Sequence, residues 1–251
     1  MAELATVVTF LDRELRTREI QDYSGAMNGL QLENPGGVEK VALAVDASGP
    51  VIQKALAIQA DLLLVHHGLF WQGAQPFTGP MFRKIKAAIE GGMAIYSSHL
   101  PLDVHPEWGN NVRLARAMGI ETWTDFLEWK GMPMGLQAEV DWSRDELLAR
   151  VQQAVGGAVH HCPGGRERIR SVGVITGGAG SQVADAAAAG VDAFVTGEGP
   201  HWSYPLAEEL EINVFYGGHY ATETFGVRAL GELLSRKFGL SCHFLDHPTG
   251  L

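Results

Sequence analysis

Residues 61–68 read Asp-Leu-Leu-Leu-Val-His-His-Gly, an unbroken apolar run that finishes on two histidines and a glycine. A strand with one wet face would alternate apolar and polar residues. A run with no polar member suits a strand covered on both faces, as in a parallel sheet under helices. Val41-Ala42-Leu43-Ala44-Val45 repeats the pattern upstream, and Ser48-Gly49-Pro50 opens a helix over 51–59 between the two runs. The result is a strand, helix, strand unit with His66 and His67 at a strand's carboxyl end, the edge at which ligands bind in open α/β sheets. Successive side chains on an extended backbone point opposite ways. The two imidazoles are therefore expected to reach two neighbouring ions, or one ion and its substrate, rather than to share one ion.

The same rhythm continues along 251 residues, 46% of them apolar, enough for one large or two modest domains. A helix is expected over 3–18, with Leu4, Val7, Val8, Leu11 and Leu15 inward and Asp12, Arg13, Glu14 and Arg16 outward. Asn28-Gly29-Leu30-Gln31 and Asn34-Pro35-Gly36-Gly37 mark a turn-rich passage. A helix over 81–90 stops at Gly91-Gly92 and leads into a strand ending at Ser97-Ser98-His99, followed by Leu100-Pro101-Leu102-Asp103-Val104-His105 as an irregular loop. After a helix over 112–118, the aromatic stretch 123–135 is expected to cross into a second domain. There Ser143 and Glu146 have capping-box spacing. Strands at 171–176 and 191–196 flank Gly177-Gly178-Ala179-Gly180-Ser181 and a helix over 183–189. That glycine loop lacks the lysine of a P-loop, so tight-turn geometry is its better reading over a phosphate cradle.

A formal charge of −10 with 19 Lys and Arg and no basic cluster argues against a nucleic-acid surface, although divalent cations could still bring in a nucleotide. Two cysteines, Cys162 and Cys242, give no disulfide framework or zinc ribbon, and His160-His161-Cys162 reads as an exposed strand end. The first residues lack a basic leader with an apolar core, and no window approaches a membrane span, so a reducing, cytoplasmic setting is expected.

Further candidate ligands stand late in the chain. Gly217-Gly218-His219-Tyr220-Ala221-Thr222-Glu223 precedes apolar residues at helical spacing up to Gly239, so a helix is expected to start near His219. That places His219 and Glu223 at i and i+4 on one face. Three imidazoles (His66, His67, His219) and two carboxylates (Asp103, Glu223) suit two divalent ions about 3.5–4 Å apart. Nitrogen and oxygen donors without thiolate point to Zn, Fe, Mn or Co.

His66-His67-Gly68, Ser98-His99-Leu100-Pro101-Leu102-Asp103 and Gly218-His219-Tyr220-Ala221-Thr222-Glu223 resemble the three signature segments of the Nif-three-like family. Its YbgI-type members are described as dinuclear metal-centre proteins and, by transfer, as type 2 GTP cyclohydrolase I. Asn28-Gly29-Leu30-Gln31 and the segment from Phe238-Gly239-Leu240 to Phe244-Leu245 match as well, so the likeness spans nearly the whole chain. The resemblance implies two interlinked three-layer α/β lobes, 1–127 with 216–251 and 128–215, with the metal site in the cleft. It implies His66, His67, Asp103, His219 and Glu223 as metal ligands, Glu223 bridging, and a toroidal homohexamer built as a trimer of dimers. Gly68 departs from the proline expected after the histidine pair, a change expected to free the loop.

The expected chemistry is metal-assisted hydrolysis, on GTP by family association alone. Glu198, His201, His99 and His105 are candidates for proton transfer or support of the ligands, with His99 and Glu198 favoured. The alternative class is a metal-binding, metal-delivery or regulatory ring protein without turnover. A nucleotide-binding module built on Gly177–Ser181 would bind its ligand even under chelation.

Overall fold

The apolar runs at 41–45 and 62–65 lie side by side in a five-stranded sheet ordered Ser241–Phe244, Lys40–Asp46, Leu62–His67, Ala94–Ser97 and Gly29–Leu32. The first four strands are parallel and Gly29–Leu32 closes one edge antiparallel. In this computed structural model, which describes residues 1–71, 73 and 75–251, the chain falls into two compact units. Unit 1 is Met1–His105 with Gly226–His247, and unit 2 is Pro106–Phe225 with Pro248–Leu251. Residues 106–127 and 216–225 thus group with the second body.

Burial on both faces explains the unbroken apolar strands of unit 1. Ala42, Ala44, Leu63, Val65 and Ile95 pack with Val51, Ile52 and Ala55 of the helix Gly49–Ala57. On the opposite face, Leu43 sits so close to Gly231 of the helix Thr224–Phe238 that any side chain at 231 would strike it. Phe10 of the helix Leu4–Glu14 meets Phe238 edge-on at 5.3 Å. Helices therefore cover both faces, and the strand ends are left as the place for polar groups.

Unit 2 has a six-stranded sheet ordered Thr124–Trp129, Met132–Ser143, Arg168–Val174, Ala193–Thr196, Asn213–Tyr216 and His160–Pro163. Its three central neighbours, from Arg168–Val174 to Asn213–Tyr216, run parallel. Leu114 and Leu147 of the helices Asn110–Ala117 and Arg144–Val155 pack on one face of this sheet. Val183 and Ala207 of Val183–Ala188 and Ser203–Glu209 pack on the other. No helix among the described residues is long and apolar enough to cross a membrane.

Three local expectations are corrected. The aromatic stretch 123–135 is no crossing but an antiparallel hairpin, turned by Lys130 and Gly131 in left-handed conformations and anchored by buried Phe126. Asp103 lies in a single helical turn, Leu100–Asp103, rather than an irregular loop; Pro101 at its start suits the turn, and the residue is buried. The helix expected from His219 is broken at Glu223, which separates the turn His219–Thr222 from Thr224–Phe238. The capping box is half-made: Ser143 Oγ accepts the Glu146 N–H at 3.1 Å, while the Glu146 carboxylate turns to Arg150. Ser143→Ala should accordingly cost about 1 kcal/mol in urea-unfolding measurements.

Candidate metal centre

In unit 1, the strand Leu62–His67 and the turn after Ala94–Ser97 put three histidines together. The ring centroids of His66 and His67 are 4.6 Å apart, and His99 lies 5.0 and 5.6 Å from them. The potential ligand atoms of all three lie within 4.8 Å of one another, so this group could hold a metal ion. Strand alternation does not separate His66 from His67 as expected. His67 is the last residue of its strand, and its ring is held beside His66 by Asp46, its register partner on the neighbouring strand.

Each imidazole is fixed through the same nitrogen. His66 Nδ1 donates to the Ser98 carbonyl at 2.9 Å and His67 Nδ1 to Asp46 Oδ1 at 2.9 Å. His99 Nδ1 donates to the two oxygens of Asp22 at 3.0 and 3.1 Å. Carbonyl and carboxylate oxygens only accept, so Nδ1 must carry the proton and Nε2 carries the lone pair of the neutral ring. That arrangement holds metal-ligating histidines in one tautomer and orientation. His66 Nε2 also stands 3.4 Å from Asp103 Oδ2, so one nitrogen and one oxygen donor face the same point. Burial alone would raise the Asp22 carboxyl, but hydrogen bonds from His99 and Asn28 hold it below the usual carboxylate range. His105 turns elsewhere, its Nε2 donating to the Glu14 carbonyl at 3.2 Å.

Unit 2 repeats the pattern on a different element. His219 Nδ1 donates to Glu198 Oε1 at 2.9 Å, and His219 Nε2 faces Glu223 Oε2 at 3.1 Å. Gly218, at φ +91°, releases the chain from Asn213–Tyr216 into the turn carrying His219, and Thr222 Oγ1 accepts the Gly177 N–H at 3.1 Å. Gly177 packs so tightly on the Glu223 carboxylate that a Cβ would overlap it. The glycine loop is thus a close-approach surface for Glu223. The Gly180 N–H is also spent, on the Glu198 carbonyl at 2.9 Å. His201 is exposed, and the described contacts of His219 run to Glu198 and Glu223 instead.

Burial pushes the His219 imidazolium down, but the hydrogen bonds and charges of Glu223 and Glu198 outweigh it and raise the group to about 9. A folded-state value above the unfolded one of about 6.5 stabilises the metal-free fold fully below that pH, and the benefit fades as pH rises through about 9. Metal loading at pH 7 should therefore displace a proton from His219. Proton release measured on titration with zinc should shrink as pH passes 9 and drop in His219→Ala.

Sequence alone does not point to Asp46 or Asp22 as partners of these histidines. Asp46 carries a usable signal, being the first polar residue at the carboxyl end of the strand beside His67. Asp22 carries none, because its role depends on a loop folding back onto His99.

Two α/β units, each presenting imidazole anchored at Nδ1 beside carboxylate donors, hold side-chain groups that could bind metal. The family Duf34/NIF3 (NGG1p interacting factor 3) matches residues 2–249, and the chain belongs to it. A GTP cyclohydrolase 1 type 2 homolog from Archaeoglobus fulgidus is 42% identical over 248 residues, covering 99% of both chains. Among solved structures, protein ybgI, of unknown function, aligns with a TM-score of 0.92 at 34% identity, over 99% of this chain and 100% of that one. A second solved structure, TTHA1606 from Thermus thermophilus, aligns with a TM-score of 0.88 at 37% identity, with the same coverage.

Proposed function

We propose that His66, His67, Asp103, His219 and Glu223 serve one dinuclear centre, with Glu223 bridging, and that the chain is a metal-dependent hydrolase of the GTP cyclohydrolase type. The observation that carries this reading is a shared anchoring: His66, His67, His99 and His219 each have Nδ1 tied to an oxygen acceptor, which leaves Nε2 as the nitrogen that can ligate once any proton on it is lost. The five residues lie in the three segments by which the chain resembles its family. The names of the curated relatives, GTP cyclohydrolase 1 type 2 homologs, supply the proposed substrate, GTP.

When bound, a pair of divalent ions lowers the pKa of a water toward neutrality and polarises the atom under attack. The protein's own groups handle the protons. Glu198 holds the His219 Nδ1 proton and is 41% exposed on its side chain, so it can exchange protons with solvent while keeping the ring in place. His99, backed by Asp22, directs Nε2 into the histidine group and is assigned as second proton carrier or additional ligand. His201 is assigned to the outer loop, where it could meet a substrate's phosphate tail. A homohexameric ring belongs to the same proposal and is checked by analytical ultracentrifugation.

The test is metal analysis of protein purified without added metal, followed by incubation with GTP and other phosphorylated or nucleotide substrates. His67→Ala and Glu223→Ala serve as controls. Loss of metal and of turnover together in both variants supports the hydrolase. Bound metal with no turnover in the wild type favours the metal-carrying alternative, and unchanged metal content in both variants removes these ligands from consideration.

A further inference from the structure

Residues 22–31 hold His99 at two points and the turn after His67 at a third, through side chains outside the proposed ligand set. Buried Asp22 accepts from His99 Nδ1 and from the backbone N–H groups of Tyr23 and Leu100. Asn28 acts as a double clamp: its Nδ2 donates to Asp22 Oδ2 at 2.7 Å and its Oδ1 accepts the His99 N–H at 2.7 Å. Gln31 sits at a register shift in the edge strand, between Leu30 paired with Tyr96 and Leu32 paired with Ile95. Such a bulge re-aims one side chain out of the ladder. Here it aims the Gln31 amide at the turn leaving His67: Oε1 accepts the Leu69 N–H at 2.7 Å and Nε2 donates to the Met27 carbonyl at 2.6 Å.

Gly68 makes this possible. It is not among the glycines with positive φ, so its backbone does not demand glycine. Space does: a Cβ at 68 would overlap the Gln31 amide, and moving that amide aside disturbs the two hydrogen bonds that seat it. The proline expected at this position would meet the same amide. Gly68 therefore does not free the loop; its missing side chain lets the loop be fastened.

We propose that residues 22–31 form a positioning strap, in which Asp22 and Asn28 orient His99 and Gln31, seated against Gly68, fixes the turn after His67. The proposal rests on the reading of these histidines as metal-facing groups, and Asp22, Asn28 and Gln31 are positioning residues rather than ligands. Removing partners that orient ligands lowers metal affinity about 10- to 100-fold.

Cobalt(II) titration of the full chain, followed by visible absorption, tests the Gln31–Gly68 contact as a cycle. Gly68→Ala and Gln31→Ala should each weaken cobalt binding about 10-fold or more and alter the spectrum. Gly68→Ala should cost nothing further once Gln31 is alanine, because the colliding amide is gone. An equal loss from Gly68→Ala in both backgrounds, or full cobalt affinity in Gln31→Ala, overturns the strap. A second arm uses metal-free protein and reads the His99 ring nitrogens by NMR. Asp22→Asn should keep the Nδ1-protonated tautomer and Asp22→Ala should lose it; persistence of that tautomer in Asp22→Ala overturns the assignment of Asp22. Absence of cobalt binding in the wild type would sink the metal-centre reading while leaving this arm to judge the strap, and failure to turn over nucleotides bears on neither arm.

Discussion

On the proposed dinuclear centre, Glu223→Ala should reduce bound metal from two ions per chain to one or fewer, the largest single effect expected of any substitution here. The residue is 3% exposed, directs Oε2 at His219 Nε2, and is pressed into place by Gly177. Glu198, the other carboxylate at His219, cannot replace it, since it is committed to Nδ1 of that ring. The affinity loss should exceed the roughly 10- to 100-fold that follows removal of an outer partner. Glu223→Gln, which keeps volume and local backbone geometry, separates loss of charge from loss of packing. Both variants should fail alike in metal analysis, while Glu223→Gln, which loses the ion pair with His219 but keeps the packing, melts above Glu223→Ala. Two retained ions in either variant would refute the assignment of a bridge.

Gly177→Ala should produce nearly the same metal deficit from a residue that offers no donor atom. Two costs combine. At φ +69° an L side chain is strained, by on the order of 1–3 kcal/mol. The added Cβ also occupies the space of the Glu223 carboxylate, which must swing away from His219. Gly190→Ala is the matched control, since Gly190 has φ +80° and open space around its missing Cβ. Both variants should lose thermal stability, roughly 2–4 °C per kcal/mol for a chain of this size. Only Gly177→Ala should lose metal, as read by elemental analysis beside the melting curves. Equal metal retention in the two variants would show that Glu223 does not need the glycine surface.

How far the sequence discloses this protein depends on how local each signal is. The strands at 41–45 and 62–65 are legible because burial on both faces writes itself as an apolar run, and the Ser143 cap because a hydroxyl three residues before its N–H partner is a local geometry. His66, His67 and His219 are visible as histidines at element ends. Their fixed tautomers are not, because each depends on an oxygen brought by tertiary folding, as Asp46 is across the sheet and Asp22 from 77 residues away. The hairpin at 124–143 is hard to see because its aromatic residues suggest a boundary, whereas its turn is specified by only two residues, Lys130 and Gly131. Gly68 misleads for the converse reason: its meaning lies in Gln31, which only a bulge in a distant edge strand can aim at it.

Crystals of the full chain, grown from protein loaded during expression and measured at the absorption edge of the ion they carry, test the dinuclear proposal most directly. Two anomalous peaks should appear, bonded by Nε2 of His66, His67 and His219 and by oxygens of Asp103 and Glu223, with the Nδ1 contacts to Ser98, Asp46 and Glu198 kept. A single ion, ions bound through Nδ1, or peaks away from these side chains would contradict it.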